Sequence, residues 1–188
     1  MSPLSIVSFA GGGSGPWRIE SVSGVVGDAL EPAERLSVTV APVGSVPGRA
    51  GDVWRLNGTT SNARYTHRSE AALLRQRQEG LDRPSATRAA LIPIRKTAAW
   101  WGMAQDERRN VLEEKSRHIG IGLEYLPAVA RRLHHCRELG ESFDFLTWFE
   151  YAPEDEAGFD ELLARLRATK EWLHVDREVD IRLSREDG

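Results

Sequence analysis

Three of the chain's five histidines and its single cysteine fall in one stretch, SRHIGIGLEYLPAVARRLHHC, residues 116–136. Imidazoles and thiolates are metal ligands, so the first chemistry to weigh is a metal centre. His134, His135 and Cys136 are adjacent. Adjacent side chains on a strand point to opposite faces and do not converge on one tetrahedral ion. There is no second cysteine and no H-x3-H or C-x2-C spacing, so a structural zinc site is not expected. Haem iron is different, because it asks for one protein ligand, commonly a neutral imidazole. His118 stands where a charged helical pattern gives way to apolar IGIGLEYLP, and Gly120 and Gly122 let other groups come close. Spacing alone does not separate such a ligand from a histidine packed in a core. Arg131 and Arg132 lie in an otherwise apolar run, and on a strand one of the two points inward. A buried guanidinium needs an anionic partner. Either a core carboxylate such as Asp144 or a small anionic ligand could supply it.

The elements that must position these residues are clearest in the C-terminal half. RAALIPIR (88–95) reads as a strand with an irregularity at its proline. AQDERRNVLEEKSRH (104–118) reads as a helix, with Asp106 as cap and Glu113 four residues before Arg117. AVARRLHHC (128–136) is taken as a strand and ELGES (138–142) as a turn. FDFLTWFEY (143–151) is a strand with Phe143, Phe145, Thr147 and Phe149 on one face. PEDEAGFDELLARLRAT (153–169) is a helix, because Phe159, Leu162, Leu163 and Leu166 recur at i, i+3, i+4 and i+7. VDREVDIRL (175–183) alternates, with Val175, Val179, Ile181 and Leu183 sharing a face with Arg177. This βαββαβ order predicts an α+β fold built on the ferredoxin-like unit. The N-terminal half is a weaker version, with strands at 17–26, 35–43 and 52–56, a Gly/Pro-rich loop at 41–51 and a helix near 69–78. Two domains are expected: a truncated N-terminal unit over 1–80 and a C-terminal unit over 81–188 that carries the candidate site. GGGSG (11–15) lacks the GK[ST] of a phosphate loop and is expected to be a flexible lead-in.

Bulk properties narrow the function classes. The net charge of −3 gives no electrostatic case for nucleic acid or an anionic membrane. One cysteine cannot form an internal disulfide. The N-terminus lacks a basic region and a sustained apolar run, and no stretch approaches the roughly 18–20 apolar residues of a membrane span. A soluble, cytoplasmic protein is expected. Six tryptophans imply a large aromatic surface, either core or the wall of a pocket for a flat ligand.

Several long blocks resemble the chlorite dismutase family of haem b proteins: GTTSNARYTHRSE, RPSATRAALIPIRKTAAWWGM, SRHIGIGLEYLPAVARRLHHCRELGESFDFLTWFEYAP and TKEWLHVDREVDIRL. They run in order from about Thr59 to Leu183, and the short chain is similar to the family's dimeric branch. The resemblance implies a dimeric α/β-barrel-type subunit of paired ferredoxin-like units, with haem b in the C-terminal unit. It implies that His118 is the proximal iron ligand, Glu171 the carboxylate on that imidazole, and Arg131 the distal arginine with Arg132 outside the pocket. Asn62, Tyr65, Lys96 and Trp100, with Trp101, match positions around the haem propionates and pocket edge. Leu126 matches an apolar distal lid, and Gln78 a loosely aligned distal glutamine. His67, His134, His135, His174 and Cys136 match nothing functional.

The implied activity is conversion of chlorite to chloride and dioxygen through a ferryl/hypochlorite rebound. Glu171 would make the imidazole more electron-donating. Arg131, cationic at any working pH, would attract chlorite and hold hypochlorite until the O–O bond forms. Lys96 would serve a propionate as a point charge. Two other readings share the fold: a coproheme decarboxylase or weak peroxidase, against whose decarboxylase branch Arg131 argues, and a haem-binding protein without turnover. A homodimer is implied.

Overall fold

Alternating or wholly apolar runs make strands in both halves of the chain, and the strands close on themselves. The computed structural model describes residues 5–42, 48, 50–60, 69, 72 and 80–186. Among these, eight strands form a closed barrel: β1 (Ser5–Gly12), β2 (Trp17–Val26), β3 (Arg35–Pro42), β4 (Asp52–Thr60), β5 (Arg88–Lys96), β6 (Ala130–His135), β7 (Phe145–Tyr151) and β8 (Val175–Ser184). The spatial order is β1-β3-β2-β8-β5-β7-β6-β4, and every recorded pairing is antiparallel. Each half of the chain therefore lays its strands in the order fourth, first, third, second. The halves join where β2 pairs β8 and β4 pairs β6. No helix among the described residues is long and apolar enough to cross a membrane.

Period two divides the strands between two cores. Phe9, Trp17, Leu36, Leu56, Leu91, Trp148, Ile181 and Leu183 fill the barrel, so both halves of the chain share one interior. Ala90, Ile92, Phe149 and Tyr151 face outward and pack against Phe159, Leu162, Leu163 and Leu166 of the helix α4 (Glu156–Arg167). That helix follows a short 3-10 turn at Pro153–Asp155, where proline suits a first turn. Pro93 leaves the β5–β7 register unbroken. Phe143 packs in the barrel before β7 begins, away from Phe149. Val175 likewise packs on the helix side, next to a register shift at Arg95/Lys96 that offsets it from Val179.

Three expectations are corrected here. The N-terminal stretch is not a lead-in: β1 includes Gly11 and Gly12, and a Cβ on Gly11 would stand 2.8 Å from the Trp54 indole Nε1. The run read as one helix over 104–118 is broken. It comprises α2 (Gln105–Arg109) and a π-turn (Asn110–Glu114), and after a left-handed Arg117 at φ 53° comes a separate helix α3 (His118–Glu124). A short helix α1 (Ala98–Gly102) precedes them. Asp106 is not the cap: α2 starts after Ala104, whose N–H donates to Glu107 at 2.7 Å. The helix expected near 69–78, like His67, lies almost wholly outside the described residues.

His134 is buried on β6, edge-on to Phe9 at 5.3 Å between ring centroids. Burial, then the charges of Arg132 and His135, lower its pKa from 6.5 to about 4. The unfolded chain therefore takes up this proton first. The stability it represents is full above pH 6.5 and is lost as pH falls toward 4, on the order of 3 kcal/mol. His134→Leu should lose correspondingly less stability than wild type between pH 7 and pH 4 in urea titrations. Equal acid losses in the two proteins would exclude this origin.

Candidate active site

His118 is the first residue of α3, directly after the left-handed Arg117. Its Nδ1 lies 2.6 Å from Oε2 of Glu171, in the 3-10 turn Lys170–His174. The other carboxylate oxygen accepts from Lys96 Nζ at 2.6 Å, and both side chains of that pair are nearly fully buried. The Glu171 backbone N–H donates to Ser116 Oγ at 3.0 Å. A strand end, a turn and a helix start are thereby tied into a buried relay of imidazole, carboxylate and ammonium. Burial alone pushes the Glu171 carboxyl up; the Lys96 ammonium and the hydrogen bonds from His118 and Lys96 outweigh it and hold it well below the usual carboxylate range. An ionised acceptor at Nδ1 assigns the ring proton to that nitrogen, so the lone pair resides on Nε2. The His118 side chain is 30% exposed, so it is not a sealed core histidine. One neutral imidazole backed in this way suits an iron that takes a single protein ligand.

Arg131 lies on β6 with its guanidinium against Gly122, where a Cβ would stand 2.6 Å from its Cζ. Gly122 is four residues after His118, so the cation meets α3 on the imidazole's face, about one turn along. Burial lowers Arg131 to about 10, which leaves it cationic at neutral pH. Arg132 is exposed. Asp144, the carboxylate considered as an answer to the buried arginine, is engaged elsewhere. It accepts the Lys96 backbone N–H at 2.7 Å and Trp101 Nε1 at 3.1 Å, and lies 3.6 Å from Arg137.

The remaining candidates separate. Lys96, which the resemblance matches to a propionate position, donates its ammonium to Glu171 at 2.6 Å. Trp100, 1% exposed, lies beneath Lys96 with Nζ 4.6 Å from its ring centroid. Trp101 is held between Arg137 and Arg108, at 4.0 and 5.1 Å from its ring centroid, and stacks on Phe145. Leu126 lines a cleft of about 210 Å³ with Tyr125, Val129, Asp155 and Gly158, and neither His118 nor Arg131 lines that cleft. Cys136 is buried, which pushes its thiol pKa up. Asn62, Tyr65 and Gln78 lie outside the described residues. Sequence reasoning missed Ser116, Glu113 and Trp172. Glu113 accepts the N–H groups of Ile119 and Gly120 at 2.7 and 3.2 Å. Trp172 faces Lys96 at 5.6 Å and donates to Glu178 at 2.7 Å. Their only local signal was proximity to His118 and Glu171.

Fold and site together define an α+β barrel protein that presents a carboxylate-backed imidazole beside a part-buried cation. A family model for chlorite dismutase matches residues 47–186, and the chain belongs to that family. A crystal structure of dimeric chlorite dismutase from Nitrobacter winogradskyi is 54% identical, with a TM-score of 0.87, over 95% of this chain and 99% of that one. A chlorite dismutase from Ideonella dechloratans is 34% identical over 83 residues, which span 44% of this chain and 27% of that relative. A chlorite dismutase from Candidatus Nitrospira defluvii, in complex with imidazole, has a TM-score of 0.67 at 23% identity, a likeness of fold alone.

Removing one partner of a buried ion pair strands the other charge. Lys96→Met should cost about 3–5 kcal/mol in urea unfolding. Combining it with Glu171→Gln should recover part of that loss, and strictly additive costs would refute the coupling.

Proposed function

We propose that the protein is a haem b enzyme that converts chlorite into chloride and dioxygen, acting as a cytoplasmic homodimer. The observation that carries this reading is the 2.6 Å contact of His118 Nδ1 with a buried, ionised Glu171, on an imidazole whose side chain is 30% exposed. Support also comes from membership of the family and from 54% identity to a dimeric chlorite dismutase. In this reading residues 1–80 and 81–188 are two ferredoxin-like units, the first truncated, whose strands complete one barrel. Haem, when bound, supplies the iron at which Cl–O bonds break and the O–O bond forms.

His118 would hold the iron through Nε2. Glu171 keeps the Nδ1 proton in a short hydrogen bond and strengthens the ring as a donor. Lys96 neutralises Glu171, so the carboxylate stays ionised without taking the proton. Arg131 draws in the chlorite anion and retains the hypochlorite released by the first Cl–O cleavage. Its charge is effective there because it is part-buried. By holding hypochlorite, Arg131 would slow its escape from the site. Chlorite supplies both oxygens of the dioxygen and leaves as chloride, so no net proton is consumed. Asn62, Tyr65, Trp100 and Trp101 are proposed to border the cofactor, with Leu126 as an apolar distal wall.

The test is dioxygen yield per chlorite, read with an oxygen electrode on haem-loaded protein. Wild type should release one dioxygen per chlorite. Arg131→Ala should lower turnover at least about tenfold, with hypochlorite appearing in solution. Gly122→Ala, which displaces the guanidinium, should lower it while leaving the melting temperature close to wild type. Decarboxylation of coproheme without dioxygen release would replace this reading, and dioxygen release unaltered by Arg131→Ala would remove Arg131 from it.

A further inference from the structure

We infer that Glu113 is a positioning residue for His118, acting through the first turn of α3; the inference rests on the haem-binding reading above. α3 is seven residues long, contains two glycines and starts from an arginine whose side chain makes no capping hydrogen bond. A helix this short and glycine-rich does not hold its own geometry. The first amides of any helix lack partners within it. Here Glu113 Oε2 accepts the Ile119 N–H at 2.7 Å and Oε1 accepts the Gly120 N–H at 3.2 Å. These are the second and third residues of the helix that His118 opens. Glu113 thus does from five residues upstream what a capping side chain does from within the joint. Its negative charge also lies at the positive end of α3.

The carboxylate reaches this place because of the π-turn Asn110–Glu114 and the left-handed Arg117. The Arg117 N–H donates to the Glu113 carbonyl at 2.8 Å, and the Arg117 carbonyl accepts from Ile121 at 2.7 Å. An i,i+4 ion pair with Arg117 is the ordinary expectation for Glu113, but both its oxygens are turned to backbone N–H groups instead. Ser116, in the same joint, accepts the Glu171 N–H. The joint therefore sets the imidazole against Glu171 from both sides, with Glu113 fixing the His118 side. Without it, α3 is free to tilt, and the His118–Glu171 contact lengthens.

The test uses full-length wild type, Glu113→Gln and Glu113→Ala, each loaded with haem. Three quantities are read: the iron–imidazole stretching frequency of the ferrous protein by resonance Raman, the rate of haem transfer to apomyoglobin, and the melting temperature without haem. Glu113→Ala should lower the frequency and speed haem loss about tenfold. Glu113→Gln, which keeps one acceptor oxygen, should fall between the two and carries the test if Glu113→Ala does not fold. A merely structural role would lower the melting temperature and leave the frequency at the wild-type value, which overturns the inference. Haem loss within about twofold of wild type at an unchanged frequency overturns it as well. Wild type that develops no Soret band on haem addition overturns both the haem reading and this inference, whereas normal wild-type loading with unperturbed variants overturns this inference alone.

Discussion

A carboxylate only 2% exposed must be answered by charge, and much of the local structure serves that requirement at Glu171. Two donors at 2.6 Å, one ammonium and one imidazole, take its two oxygens. The ammonium is itself buried, over the faces of Trp100 and Trp172, whose quadrupoles favour a cation. Such a pair adds little net stability, because desolvation offsets most of the attraction. Its value lies in what it imposes on His118: a defined ring orientation, a proton on Nδ1 and a lone pair on Nε2. Trp100 and Trp172, two of the six tryptophans, wall this ion pair.

Irregular backbone clusters around the same relay. The strand bearing Lys96 shifts register at Arg95/Lys96, the helical run before His118 widens into a π-turn, and Arg117 takes a left-handed conformation that a non-glycine residue seldom adopts. Each feature re-aims a chain segment that regular geometry would carry past the site. The glycine-rich α3 adds close approach, since the Arg131 guanidinium rests where a Cβ of residue 122 would be. These departures from local preference mark where tertiary contacts override propensity.

The turn that carries Glu171 is anchored from β8 as well. Glu178, fully buried, accepts from Trp172 and from Arg167, while Arg167 and Arg182 both engage Asp180. Two neighbouring acidic residues on one strand face would otherwise repel in a poorly solvated layer. The two arginines make that layer electrically balanced and link α4 and β8 to the residue beside Glu171. The barrel and its helix layer thus act as one scaffold, with apolar contact inside and ion pairs outside.

The segment of β6 fits either helix or strand, but local pattern was enough to read β5 as an apolar run and β7, α4 and β8 from side-chain spacing. It was not enough for β1, whose residues Ile6 to Gly12 are all buried and so lack alternation. The resemblance in the sequence drew attention to His118, Glu171 and Arg131, residue types that the site's chemistry requires. Only the tertiary structure decided which groups meet. Lys96 finds Glu171 across 75 positions, Asp144 answers Trp101, a backbone N–H and Arg137, and Glu113 turns from Arg117 to the amides of α3. The physical reason is that a charged side chain has several partners within reach of its sequence position. Closure of the barrel and burial select among them, because an unanswered charge in the interior costs more than any local preference returns.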